Sequence, residues 1–250
     1  MPRFPLTPAL LALLFGCVTP VTDPFEVVDR STSFVSTSTV DAGVLEAQTA
    51  FAWDPDGESA GTVVLTYGTA PEKEVFAEWS PYVVADAEGP DVRGTGDAVL
   101  GFRHRFREAE EASWAYELAT KLPLGSDEPE LTSGRIDVSA ALRRTAPAAG
   151  GTLTLTLDAA ALGADEGVDA ELGGQVLFGR PLRPGLAALF SAQTSVVPEL
   201  DEWTAAGRAG VSFSRSDRWL VDLAVENRVG DGRPEQLLVA GVTLFFSTSR

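Results

Sequence analysis

The stretch Asp97-Ala-Val-Leu-Gly-Phe-Arg-His-Arg-Phe-Arg107 alternates almost residue by residue. Ala98, Leu100, Phe102, His104 and Phe106 share one side; Asp97, Gly101, Arg103, Arg105 and Arg107 share the other. Successive side chains of an extended chain point to opposite faces, so this pattern predicts a strand held between an oily and a charged environment.

Working outward from it, the same period of two recurs twelve times: at 44–53, 62–68, 74–80, 97–107, 113–122, 135–143, 152–159, 172–179, 185–194, 203–213, 218–228 and 236–247. The segment 152–159 is among the cleanest, with Leu153, Leu155 and Leu157 opposing Thr152, Thr154, Thr156 and Asp158. Leu189, Val239 and Phe245 fall off the pattern. An even count of strands this long predicts an all-β fold: a closed antiparallel up-and-down transmembrane β-barrel of about twelve strands. Closure removes the unpaired edges that a bilayer does not tolerate.

Alternation alone does not say which face is inside, so a soluble barrel or sandwich is the competing architecture. Three features favour the inverted, membrane form. Long charged side chains lie on one face of most strands. Trp53, Tyr67, Trp79, Tyr82, Trp114, Trp203, Trp219 and Phe246 lie near strand ends, as interface girdles do. Twelve strands around a dry apolar core would also leave a lumen too wide to fill.

Taking the first strand to run outward, the outer connections contain Asp54–Glu58, Asp86–Arg93, Asp127–Glu130, Asp165–Asp169 with Glu171, Glu199–Glu202 and Asp231–Glu235. They carry nearly all of the net charge of −17. The opposite turns, such as Ala70–Lys73 and Arg180–Pro184, are mostly shorter. Long loops on one side and short turns on the other is the outer-membrane arrangement. So acidic a chain is a poor partner for nucleic acid. One cysteine and one histidine exclude an internal disulfide and a Cys/His zinc site. No loop has EF-hand spacing, and no metal or cofactor is expected.

The N-terminus is a separate signal. Arg3 precedes the apolar run Ala9–Phe15, and Leu14-Phe15-Gly16-Cys17 has the form of a lipobox. The expected organisation is a signal peptide over 1–16, a tether or mouth segment over 17–42 and an outer-membrane barrel over 43–250. Either Cys17 is lipidated as the first mature residue, or ordinary cleavage occurs nearby.

The expected lumen face carries Glu46, Glu78, Asp97, Arg103, Arg105, Glu117, Lys121, Arg135, Asp137, Arg143, Asp158, Arg208, Asp222, Glu226 and Arg228. These are the selectivity candidates. They form either a charged eyelet that sorts solutes or a salt-bridged plug. Catalysis is not expected: Phe102 and Phe106 flank the lone His104 at two-residue spacing where a lipid-cleaving site would need a nucleophile, and no G-x-S-x-G is present.

Leu65-Thr-Tyr-Gly68 leading to Glu74-Val-Phe-Ala-Glu-Trp-Ser-Pro-Tyr82, then Gly94-Thr-Gly-Asp-Ala-Val-Leu-Gly101 and Lys121-Leu-Pro-Leu-Gly125, together resemble the outer-membrane transporter family named for the meta-pathway of phenol degradation. Asp29-Arg-Ser-Thr-Ser33 resembles its N-terminal approach. The likeness implies a barrel in the bacterial outer membrane that passes small, often aromatic, molecules. Its partners would be outer-membrane lipid, a small-molecule solute and the barrel assembly machinery. The lipobox and the C-terminal Phe246-Ser-Thr-Ser-Arg250 depart from what that resemblance implies. The leading expectation is a pore for passive passage; the alternative is a non-conducting structural or surface-binding barrel.

Overall fold

The computed structural model describes residues 36–54, 59–85, 92–126, 128, 131–164, 167–216, 218–230 and 234–247. The leader, Cys17 and Asp29–Ser33 lie outside them, as do many of the rim acids, among them Asp56, Glu88, Asp127, Asp165 and Asp231.

Thirteen strands are described: β1 (Val44–Trp53), β2 (Ser59–Ala70), β3 (Lys73–Ala85), β4 (Val92–Gly94), β5 (Ala98–Glu108), β6 (Ser113–Leu122), β7 (Asp137–Ala148), β8 (Gly151–Ala164), β9 (Gly167–Arg183), β10 (Leu186–Val197), β11 (Glu202–Ser216), β12 (Trp219–Gly230) and β13 (Glu235–Ser247). Each barrel strand pairs antiparallel with its neighbours in order, and β1 pairs with both β2 and β13. The result is a closed twelve-stranded transmembrane barrel. The short β4 lies outside the closed ring and pairs only with β3.

The faces are inverted relative to a soluble protein. Leu100, Leu118, Val138, Leu157 and Leu223 are 51–68% exposed on the outside, whereas Glu74, Asp222, Glu226 and Thr243 are at most 2% exposed. An apolar outer face of this kind suits a bilayer, while charges inside the lumen find partners. Tyr82 and Trp203 stand near the long-loop end and Tyr67 and Phe246 near the short-turn end, all exposed. These rings combine an apolar body with a polar or polarisable edge suited to an interface.

Two sequence expectations change. Strand 135–143 begins at Asp137, so Arg135 belongs to the preceding loop. The acidic stretch Val168–Glu171 is not a loop but part of β9, paired with β8 out to Ala164↔Gly167. Backbone pairing can continue beyond the bilayer where both faces are wet, and there hydrophobic alternation no longer marks the strand.

Candidate functional site

Strand alternation sends one charged residue in two into the lumen, and cross-strand register decides which of them meet. Glu74 and Arg103 are register partners, as are Arg103 and Glu117. Arg103 Nη1 donates to Glu74 Oε1 at 2.7 Å, and its Nε and Nη2 donate to Glu117 Oε2 at 2.9 and 2.7 Å. Arg143 Nη1 donates to the same Glu117 oxygen at 2.9 Å, and Nη2 reaches Oε1 at 3.3 Å. The four residues form one continuous chain, Glu74–Arg103–Glu117–Arg143, across four strands. Forked guanidinium contacts of this kind fix geometry as well as charge. Phe76 lies over Gly101, its register partner, with the Arg103 guanidinium 5.9 Å from the ring centre. A side chain on Gly101 would occupy the space of that ring.

A second group sits across the barrel. Arg208 donates from Nε to Glu226 Oε2 at 2.7 Å and also from Nη2, while Arg228 Nη2 donates to Glu226 Oε1 at 3.0 Å. Arg228 also lies 3.7 Å from Glu235. Asp222 accepts a hydrogen bond from Ser212, and Glu46 accepts one from Gln48 at 2.5 Å. Arg105 lies at the short-turn end, 3.3 Å from Glu108.

Between these groups the lumen holds two cavities. One, of about 300 Å³, has an apolar strip that includes Ala50, Ala52, Val64, Leu237 and Val239, flanked by Glu78 on one side and Arg208, Glu226 and Arg228 on the other. The other, of about 520 Å³, is lined by Glu117, Arg143, Asp158, Glu171, Gln175, Gln193, Ser195 and Thr204 among others. Arg228 lines both.

At the long-loop end, Asp97 accepts hydrogen bonds from Thr132 Oγ1 at 2.6 Å and from the Gly125 amide at 3.2 Å. Ser126 N donates to Thr95 O at 2.8 Å. Lys121 bridges Asp97, at 3.7 Å, and Asp137, and donates to Ser133 at 2.7 Å. The Gly94–Gly101 block and the Lys121–Gly125 block are thus in direct contact. They latch the loop 123–136 onto the approach to β5. Asp97→Ala removes two of these acceptor contacts, and limited proteolysis should then cut the loop 123–136 several times faster than in the parent protein. Unchanged cleavage kinetics would reject the latch.

The short-turn end is filled differently. Residues 36–42 form a strap that leads into β1. Thr37 N donates to Thr145 Oγ1 at 3.2 Å, Thr37 Oγ1 is 2.5 Å from Ser113 Oγ, and Val40 N donates to Glu74 Oε2 at 2.6 Å. Gly68 makes room for it: a Cβ there would overlap the Asp41 carbonyl. Beside this end, Leu177, Ala187, Leu189 and Leu220 form a buried apolar cluster. The off-pattern Leu189 and Val239 are therefore inward-facing packing residues rather than interruptions of the strands.

Of the residues expected in the lumen, Arg103, Glu117 and Arg143 come together, as do Lys121, Asp97 and Asp137, and Arg208, Glu226 and Arg228. Glu78 and Asp158 line cavities. Arg135 stands apart from these groups, its side chain against Gly163 in the long-loop region. Glu74 was not among the expected site residues although it anchors both Arg103 and the strap; its place at the first turn-end position of an alternating strand is the signal that could have found it. Glu171 was read as part of an outer connection rather than of the lumen, and the neutral Gln175, Gln193, Ser195 and Thr204 were missed because a search for charge passes over amides and hydroxyls.

His104 is packed against Tyr116 edge-on at 5.4 Å and near Phe102 at 6.4 Å.

No family model matches the chain, and no curated protein matches it in sequence. Solved structures do share its fold. The COG4313 outer membrane channel from Pseudomonas putida F1 superposes with a TM-score of 0.65 at 12% identity, over 84% of this chain and 98% of that one. The NanC porin gives 0.60 at 7% identity, over 80% of this chain and 98% of that one. The KdgM porin gives 0.57 at 9% identity, over 80% and 99%. The chain therefore has the closed-barrel fold of outer-membrane channels and porins.

Proposed function

We propose that the protein is a bacterial outer-membrane pore for the passive passage of small molecules, related to the phenol-degradation meta-pathway transporters. The observation that carries this reading is the pair of lumen cavities that share Arg228 inside a closed barrel. The apolar strip of the smaller cavity suits an aromatic or hydrophobic portion of a solute, while the charged residues that flank it meet a polar group. The fold shared with channels and porins supports the location and the role.

Refolded full-length protein in a planar lipid bilayer is expected to give discrete conductance steps. A protein that inserts but never conducts would overturn the pore. The second reading, a closed structural barrel, is favoured by one specific observation: the Glu74–Arg103–Glu117–Arg143 chain and the strap occupy lumen space. The same recording separates the two.

In this reading the leader directs export, the barrel assembly machinery inserts the strands, and Cys17 carries the lipid of a mature lipoprotein. Mass spectrometry of the protein isolated from membranes should find acyl chains on Cys17; an unmodified terminus beyond Cys17 would exclude lipidation.

A further inference from the structure

We propose that the lumen favours cations over anions, and that Asp158 and Glu171 in the larger cavity, with Glu78 in the smaller, set that preference. This rests on the pore reading.

Most of the charged side chains in the lumen are paired with one another. Arg103 and Arg143 are committed to Glu74 and Glu117. Lys121 sits between Asp97 and Asp137. Arg208 and Arg228 both engage Glu226. Among the described residues, Asp158, Glu171 and Glu78 have no cation within ion-pair distance, yet all three line cavities.

The larger cavity brings two of these carboxylates together. Asp158 is in register with Gly173, and Glu171 with Ala160, the next inward position along β8. Gly173 is what lets Asp158 lie against the wall, since a Cβ there would collide with its carboxylate. The row continues along the same wall through neutral side chains, since Gly173 is in register with Ser195 and Ser195 with Thr204. The two cavities together are lined by five carboxylates, Glu78, Glu117, Asp158, Glu171 and Glu226, against three guanidinium groups, Arg143, Arg208 and Arg228, so a passing cation meets a net negative wall. A passing anion meets Arg143 held by Glu117 and Arg208 and Arg228 held by Glu226. In a confined, partly desolvated lumen such a difference biases permeation, as charged rings do in selective channels.

The test is the reversal potential of the full chain in a planar bilayer under a KCl gradient. The parent protein is expected to prefer K⁺ over Cl⁻ on the order of threefold or more, as charged pore linings do. The pair Asp158→Asn with Glu171→Gln should bring the ratio close to unity, and Glu78→Gln should lower it partway. Ser195→Lys, which places a cation on the strand beside the carboxylates, should shift it toward anions; this variant keeps the test decisive if the double variant does not refold. Heat-modifiable gel mobility verifies that each barrel is folded. Conductance with a zero or anion-side reversal potential, or a ratio unmoved by the variants, overturns this inference alone. An absence of conductance in the parent protein overturns the pore reading and this inference with it.

Discussion

Val40→Pro and Gly68→Val each raise the single-channel conductance of the reconstituted protein by about threefold or more, the scale expected when a constriction in a narrow pore is removed. The two substitutions act on the strap from opposite sides. Proline at 40 has no N–H to donate to Glu74 Oε2, where the parent protein makes a 2.6 Å bond. Valine at 68 fills the space that the strap backbone occupies beside Asp41. Loss of one hydrogen bond to a charged acceptor costs about 1.5–3 kcal/mol, small beside the cohesion of twelve paired strands. The barrel should therefore persist while its short-turn mouth opens. Folded variants with parental conductance would show that residues 36–42 do not obstruct the pore.

The largest effect on stability is expected at Glu117. It is the shared acceptor for Arg103 and Arg143, and Arg143 lies 92% buried. Glu117→Gln keeps the shape but leaves Arg143 without a carboxylate partner in a site that excludes most water. Breaking a buried pair from one side typically costs about 3–5 kcal/mol, since the remaining charge stays desolvated. The midpoint for urea unfolding from lipid vesicles should fall accordingly. The double substitution Glu117→Gln with Arg143→Met removes both ends of that contact and should recover most of the loss. If the single and double variants were equally stable, within about 0.5 kcal/mol, the two residues would not be coupled. Loss of Glu117 should also weaken the hold on Arg103 and, through Glu74, on the strap, so the first and second predictions share one ionic path.

Much of the barrel was legible because a bilayer writes its constraint locally. Each crossing strand must alternate, and each of the twelve segments from Val44 to Ser247 found its place in a paired barrel strand. The reading weakened where that constraint ends. β9 runs for 17 residues, and its outer part, Val168–Glu171, looks like acidic loop because both faces there are wet. Leu189 and Val239 looked like errors in the pattern because alternation assumes one lumen chemistry throughout, whereas packed ends and cavity walls use apolar side chains as well.

The sequence by itself determined the number of barrel strands and which side of each strand carries charge, since both follow from a period of two; the inverted faces followed from the long charged side chains, the strand-end aromatics and the strand number. Tertiary structure alone decided which charges neutralise one another. Glu74 and Glu117 become neighbours of the Arg103 they share only through register, while Asp158 and Glu171 line a cavity without an ion pair of their own. The Gly94–Asp97 and Lys121–Gly125 blocks likewise stand out in the sequence, but their purpose as a latch exists only once β5 and β6 lie side by side. Alternation is a property of one strand, whereas ion pairing, cavity shape and the seat of the strap depend on how strands are staggered around a closed ring.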